Sequence, residues 1–130
     1  MAFEKDEVPI GAVIVVENKI IARAHNLTET LNDVTAHAEM QAFTSAADYL
    51  GGKYLKKCTL YVTLEPCQMC AGASYWTQID QIIFGAYDVQ RGFQNNQTKL
   101  HPKTKVIGGI LEKECSELMI RFFIEKRNLN

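Results

Sequence analysis

The sequence predicts an α/β protein in which helices cover a central β-sheet. Short runs rich in β-branched residues alternate with longer segments whose apolar residues recur at helical spacing. The segments follow the order ββαβαβ(β)α, without an internal repeat, and this order points to a sheet covered by helices. A chain of 130 residues has the commonest size for one domain, so we expect residues 1–130 to form a single domain.

The first structured segment is predicted to be a β-hairpin. Residues 12–16 are apolar and mostly β-branched, Glu17 and Asn18 form a polar break, and residues 19–24 are again largely apolar. Two such runs separated by two polar residues are typical of two antiparallel strands. A polar loop then leads to the first helix.

The central part of the chain is predicted to contain two helices separated by a strand. Residues 36–49 are rich in helix-forming residues with one apolar face, and the glycine pair 51–52 ends this helix. Residues 58–63 form a short β-rich run. Pro66 then marks the entry to a second helical segment, from residue 67 to about residue 75.

The last part of the chain is predicted to contain two strands and a C-terminal helix. Residues 82–85 and 105–107 have strand character, and residues from 111 onward place apolar side chains on one helix face. The polar stretch between the two strands, residues 87–104, is longer than most connections. We therefore expect it to contain some helix or to shape a site.

Composition and charge exclude several classes of function. Hydrophobic residues make up 47% of the chain, which argues against a disordered protein. The formal net charge is −1, which argues against a strongly basic protein that coats long stretches of nucleic acid. The longest apolar stretch, residues 8–16, is about half as long as a membrane-spanning helix. The acidic start, residues 1–7, lacks the features of a secretory signal. We expect a cytoplasmic protein without a membrane partner.

The four cysteines favour metal or redox chemistry over disulfides in a cytoplasmic chain. Cys67 and Cys70 form a C-x-x-C motif at a predicted helix start, where free N–H groups and the helix dipole favour the thiolate form that binds metals. Cys58 and Cys115 lie in a predicted strand and on an apolar helix face, so we interpret them as core residues.

His37 completes a candidate metal site, and Glu39 follows it two residues later. One imidazole and two thiolates provide three ligands, the number typical of catalytic zinc, which keeps one position for water. Residues two apart on a regular helix point about 200° apart, so His37 and Glu39 converge only if His37 lies at the helix entry. Glu39 is then available to move protons during hydrolysis.

These residues match a known signature. His37-Ala38-Glu39 and Pro66–Cys70 reproduce the H-x-E…P-C-x-x-C pattern of the cytidine and purine deaminase superfamily. Within that superfamily, the chain resembles the bacterial tRNA-specific adenosine deaminases over most of its length. The matching segments are Glu7–Ala12, Thr35–Glu39, Thr59–Cys67, Met69–Ala73, Phe84–Ala86, Gly109–Leu111 and Phe122-Phe123.

The resemblance implies a fold and a reaction. The fold is a three-layer α/β/α cytidine-deaminase-like arrangement with a central mixed five-stranded sheet. The reaction is hydrolytic deamination of adenosine to inosine at the wobble position of a tRNA anticodon loop. One zinc ion per subunit is held by His37, Cys67 and Cys70, and Glu39 carries a proton from water to the purine N1 and then to the departing amine.

The resemblance also implies contacts to the substrate and to partners. Asn26 hydrogen-bonds the base, Val8 packs on the purine, and Ala38 and Pro66 contribute backbone polar groups. The expected partners are a tRNA anticodon stem-loop and a second subunit in a homodimer, while no DNA partner is expected.

Two alternatives remain open from the sequence. Tyr75-Trp76 and Gly92-Phe93 resemble the related guanine deaminases, which favours a deaminase of free guanine, cytosine or a similar base. A third reading is a non-catalytic, zinc-stabilised RNA-binding scaffold. Glu39 argues against the scaffold, because a scaffold has no use for a proton shuttle.

Overall fold

The computed structural model describes residues 7–129, with side chains described as far as residue 125. The first six residues of the acidic start, residues 1–6, and Asn130 lie outside the described residues. The strands are β1 (Gly11–Val16), β2 (Lys19–His25), β3 (Cys58–Leu64), β4 (Gln81–Ala86) and β5 (Lys105–Ile107). The helices are α1 (Ala38–Leu50), α2 (Gln68–Thr77) and α3 (Glu112–Leu129).

The strands form one mixed five-stranded sheet in the order β2-β1-β3-β4-β5. β1 is antiparallel to both β2 and β3, whereas β3, β4 and β5 run parallel to one another. The parallel pairs need crossover connections, and α2 provides the one between β3 and β4. The predicted mixed sheet is confirmed.

The predicted hairpin is formed by β1 and β2. Its turn residues Glu17 and Asn18 both have positive φ angles, 51° and 63°. Two successive positive φ values are characteristic of the type I′ turn, whose twist matches that of the flanking strands. The pairing shifts by one residue between Ile14 and Val15, so β2 carries a bulge.

Helices cover both faces of the sheet. One face contributes Ile14 and Phe84 to the main core cluster, which also contains Ala42 and Ala71 of α1 and α2. Gly85, next to Phe84 in β4, points to the opposite face, where an added Cβ would lie 2.5 Å from the Cys115 sulfur of α3. This confirms the three-layer α/β/α arrangement.

The two central helices begin close to the predicted positions. α1 begins at Ala38, two residues later than expected, because His37 still has extended backbone angles of φ −71° and ψ 153°. α2 begins at Gln68, with Cys67 as its N-cap. Gly51, at φ 72°, ends α1 in the left-handed conformation that glycine adopts without strain.

The long polar stretch, residues 87–104, contains turns and an isolated bridge between Gly92 and Cys67. It contains no helix or strand, so of the two predicted alternatives, some helix or the shaping of a site, the first does not hold. No helix within residues 7–129 is long and apolar enough to span a lipid bilayer.

Candidate active site

Three side chains from distant parts of the sequence converge between α1 and α2. His37 Nδ1 lies 3.6 Å from Cys67 Sγ and 3.5 Å from Cys70 Sγ. All three ligand atoms lie within 4.8 Å of one another and could hold a metal ion. The structure thus brings together the three residues that the sequence predicted as metal ligands.

The starts of the two helices position these groups. His37 and Cys67 are the N-caps of α1 and α2, and neither side chain makes a capping hydrogen bond. Cys70 lies in the first turn of α2. Both helices therefore direct their positive ends toward the convergence point, where they favour thiolates.

The separations fit a tetrahedral zinc ion. Zn–N bonds of about 2.0 Å and Zn–S bonds of about 2.3 Å, at the tetrahedral angle, place nitrogen and sulfur about 3.5 Å apart. The two measured separations between His37 and the cysteine sulfurs are 3.6 and 3.5 Å. One nitrogen and two sulfur donors are also a ligand set that zinc uses in catalytic sites.

The proton affinities of the three groups are strongly coupled. A hydrogen bond from Cys70 lowers the pKa of the Cys67 thiol to about 4, and the contact with His37 acts in the same direction. The same bond, together with burial, raises the pKa of Cys70 above its usual range. Interaction with Cys67 also raises the pKa of His37. A metal ion held by both sulfurs requires both as thiolates, so its binding would release the proton that Cys70 retains.

Glu39 lies in the first turn of α1 and is only 3% exposed. Burial raises the pKa of its carboxyl from 4.5 to about 7. Its Oε1 is a buried oxygen with no hydrogen-bond partner among the described residues. A buried acceptor of this kind is suited to a water molecule or a substrate group, and a pKa near 7 suits proton transfer at neutral pH.

The convergence point opens into a cavity of about 610 Å³. Its wall includes His37, Glu39 and Cys67, and also Val8 and Asn26 from the predicted substrate contacts. A volume between about 300 and 1,000 Å³ is usual for small-ligand sites. Two of the candidate metal ligands, His37 and Cys67, therefore share one cavity with the predicted base contacts Val8 and Asn26.

The remaining predicted contacts, Ala38 and Pro66, are fully buried. The Pro66 carbonyl accepts a hydrogen bond of 3.0 Å from the Phe93 N–H, which leaves one of its two lone pairs. Ala38 is the first residue of α1, where main-chain N–H groups lack intrahelical partners.

Two groups of cavity residues were not predicted from the sequence. The first comes from residues 87–91, and the second from α3, which contributes Met119, Ile120 and Phe123. The length of the polar stretch was the available signal for the first group. The second group could not be predicted from the sequence, because the part of α3 that reaches the cavity depends on the sheet topology.

A comparison with protein families identifies the chain. The MafB19-like deaminase family matches residues 1–127. A tRNA-specific adenosine deaminase of Bacillus subtilis is 45% identical over 97% of this chain and 82% of its own length.

Solved structures similar to this chain are also deaminases. A chain from a study of A-to-I editing by tRNA:A34 deaminases at the wobble position is 42% identical, with a TM-score of 0.81, and the match covers 90% of this chain and 89% of that one. A guanine deaminase from Bacillus subtilis is 40% identical, with a TM-score of 0.59, over 68% of this chain and 53% of that one. The protein therefore belongs to the MafB19-like deaminases and, within them, to the family of tRNA-specific adenosine deaminases.

Proposed function

We propose that this protein converts adenosine to inosine at the wobble position of a tRNA anticodon loop by hydrolytic deamination. The similarity to tRNA-specific adenosine deaminases over 97% of the chain is the observation that carries this proposal. In this proposal, the chain is a single zinc-dependent domain. It works in the cytoplasm as a homodimer, with one zinc ion in each subunit.

The zinc ion is assigned to His37, Cys67 and Cys70, whose donor atoms have the separations of a tetrahedral site. When bound, zinc lowers the pKa of a coordinated water to near 7 and so supplies a nucleophile at neutral pH. The N-terminus of α2, which carries both cysteines, favours the thiolate forms needed for binding.

Glu39 is assigned the proton transfers. The reaction replaces the C6 amino group of adenine by an oxygen from water and releases ammonia. The buried Oε1 of Glu39 accepts a proton from that water and delivers it to the purine N1. Glu39 then takes the second proton, from the hydroxyl group added at C6, and passes it to the amine, which leaves as ammonia while C6 becomes a carbonyl. A pKa of about 7 makes both protonation states of Glu39 accessible.

Asn26 and Val8 are assigned to base recognition because both line the same cavity as Glu39. Ala38 and Pro66 contribute main-chain polar groups in this proposal. The Nδ2 of Asn26 faces the Thr28 hydroxyl at 3.4 Å. This orientation leaves its carbonyl oxygen available as an acceptor for the base.

The rim of the cavity favours a nucleic-acid substrate over a free base. Val89, Ile120 and Phe123 line the cavity and are 73%, 58% and 48% exposed. Unstacked bases of single-stranded RNA commonly pack against exposed apolar and aromatic side chains. A free base enclosed in the cavity has no use for such a rim.

The free-base alternative has one observation in its favour, the similarity to a guanine deaminase. Trp76 and Phe93, two of the residues that suggested this alternative, lie outside the cavity. Trp76 is 77% exposed at the end of α2, and Phe93 is buried against Phe84 in the core. Neither residue therefore supports a pocket for a free base.

Product analysis by mass spectrometry tests the proposal. Zinc-loaded protein is incubated with an anticodon stem-loop bearing wobble adenosine and, in parallel, with free guanine, cytosine, adenine and cytidine. Inosine in the stem-loop, with the free compounds unchanged, is the expected result. Deamination of a free base without any inosine in the stem-loop would contradict it.

A further inference from the structure

Glu65, directly before the Pro66-Cys67 part of the metal motif, has no role in the proposed chemistry. It is 4% exposed, although a glutamate is rarely buried without a partner. One carboxylate oxygen accepts the Asp88 N–H at 3.1 Å, and the other accepts the Gln94 N–H at 3.0 Å. The side chain therefore holds two points of one loop.

The main chain continues the same connection through the next two residues. The Pro66 carbonyl accepts the N–H of Phe93 at 3.0 Å, and Cys67 forms an antiparallel bridge with Gly92. Residues 65–67 thus contact the loop at residue 88 and at residues 92–94. We call this pairing the loop clamp.

The loop clamp joins two parts of the active site. Its first segment ends at Cys67, a proposed zinc ligand. Its second segment includes residues 88–91, which form part of the cavity wall. A movement of either segment must therefore be transmitted to the other.

Gly92 shows how closely the two segments approach. A Cβ added there would lie 2.4 Å from Glu65 Oε1 and 2.4 Å from the Asp88 carbonyl oxygen. Any side chain larger than hydrogen would have to push Glu65 away from the loop. The clamp requires both a carboxylate at position 65 and a glycine at position 92.

From this geometry we infer that Glu65 is a positioning residue that couples the metal centre to the cavity-wall loop. Although Glu65 lies in the cavity wall, both of its carboxylate oxygens accept main-chain N–H groups of the loop, and we assign it no part in the reaction itself. Through the loop clamp, it fixes the position of Cys67 relative to the other proposed zinc ligands. It also holds the loop in the conformation that forms part of the cavity wall. The inference rests on the proposed zinc site but is independent of the RNA substrate.

Zinc release from the loaded protein tests the inference directly. In Glu65→Gln, the amide keeps one acceptor oxygen and turns an N–H₂ donor toward a main-chain N–H, so one clamp bond is lost. Because groups that orient metal ligands commonly change metal affinity by about 10- to 100-fold, we expect zinc transfer to a chromogenic chelator to be at least about tenfold faster. The matched control is Glu117→Gln, at an exposed glutamate of α3, which should leave the rate unchanged.

Gly92→Ala provides a second variant in which Glu65 is retained. It should accelerate zinc release to a similar extent, and the double variant should add little, because both changes break one clamp. Release from folded Glu65→Gln at the wild-type rate would overturn the inference.

Hydrogen exchange on the wild-type protein needs no substitution. Removing zinc should accelerate amide exchange at Asp88, Phe93 and Gln94, while amides of the β1–β2 hairpin should keep their protection. Unchanged protection at these three amides would also overturn the inference. A wild-type protein that binds no zinc would instead contradict the proposed metal site, and neither result depends on tRNA deamination.

Discussion

His37 Nδ1 lies 3.5 Å from Cys70 Sγ, although 33 residues separate the two in the sequence. The contact joins the first turns of α1 and α2, the helices that cover one face of the sheet. Glu39 follows His37 by two residues, in the first turn of α1, and its carboxyl is buried. This arrangement separates metal binding from proton transfer, and each can be removed without the other.

Replacing Glu39 by glutamine should abolish deamination while preserving the fold and the zinc. An amide of nearly the same size cannot accept and release the proton, and general acid–base groups commonly contribute 10²- to 10⁴-fold to the rate. We expect kcat to fall by at least about 10²-fold. Single-turnover kinetics on the stem-loop measure the rate of deamination, and atomic emission measures the zinc content. Activity close to that of the wild type would refute the proton-transfer role.

Replacing Cys67 by alanine should remove the zinc and destabilise the protein. A ligand present at about 1,000 times its dissociation constant stabilises the folded state by about 4 kcal/mol, and this stabilisation is lost with the site. Thermal unfolding with and without chelator measures it. The control is Cys115→Ala, which changes a half-buried cysteine of α3 outside the metal group. Equal zinc content in the two variants would contradict the ligand assignment.

Replacing Glu7 by glutamine should lower stability at neutral pH. Burial alone would raise the pKa of Glu7, but hydrogen bonds from Thr30, Glu29 and Thr28 outweigh burial and lower it. A carboxyl whose pKa is lowered by folding stabilises the folded state above its unfolded pKa of about 4.5, and the stabilisation is lost as pH falls through the folded value.

We therefore expect Glu7→Gln to unfold more easily by about 1 to 3 kcal/mol at pH 7, with a smaller difference below pH 4. Urea unfolding over this pH range measures the effect. Glu29→Gln, at an exposed neighbour, is the control and should unfold like the wild type. A difference from the wild type that does not change with pH would contradict the role of the charge.

Two glycines should respond to alanine in opposite directions. A Cβ at Gly108 would lie 2.4 Å from the Phe84 ring, whereas a Cβ at Gly72 in α2 would meet nothing within 4 Å. Gly108→Ala should destabilise by about 1 to 3 kcal/mol through overpacking, and Gly72→Ala should stabilise by about 0.5 to 1 kcal/mol through helix propensity. Melting temperatures of the two variants settle the comparison, and a stabilised Gly108→Ala would show that the ring has room to move.

Replacing Phe123 by alanine should weaken binding of the stem-loop. Phe123 is exposed and lines the cavity, and stacking of one base on an aromatic side chain is worth about 1 to 3 kcal/mol. We expect KM for the stem-loop to rise about 5- to 100-fold, with zinc content unchanged. Ile124→Ala, at the next exposed residue of α3, is the control. An equal effect of both variants would point to altered packing of α3 instead of lost stacking.

Much of the fold followed from local sequence signals. The β-branched runs and the two-residue turn predicted β1 and β2, and Gly51 predicted the end of α1. The cluster of His37, Cys67 and Cys70 was predictable because its members belong to two short motifs. In the first motif, the two-residue spacing of His37 and Glu39 requires a helix entry if both are to face one site, and His37 indeed has an extended backbone.

Long-range features could not be predicted in this way. Glu7 and Glu65 are buried because main-chain N–H groups of distant loops surround their carboxylates, and nothing in the neighbouring sequence indicates such partners. The start of α1 was predicted two residues early because Ala36 and His37 have good helix-forming neighbours. Their backbone is instead fixed by the Asp33 turn, whose carbonyl accepts the Ala36 N–H.

The two edges of the sheet constrain how copies of this chain associate. β5 has only three residues, and β2 is bulged and bears exposed charges at Lys19 and Arg23. Short, kinked or charged edge strands resist the addition of another strand. A dimer of this protein is therefore expected to form through helices and loops, and substituting Arg23 with valine would expose the protein to edge-to-edge aggregation.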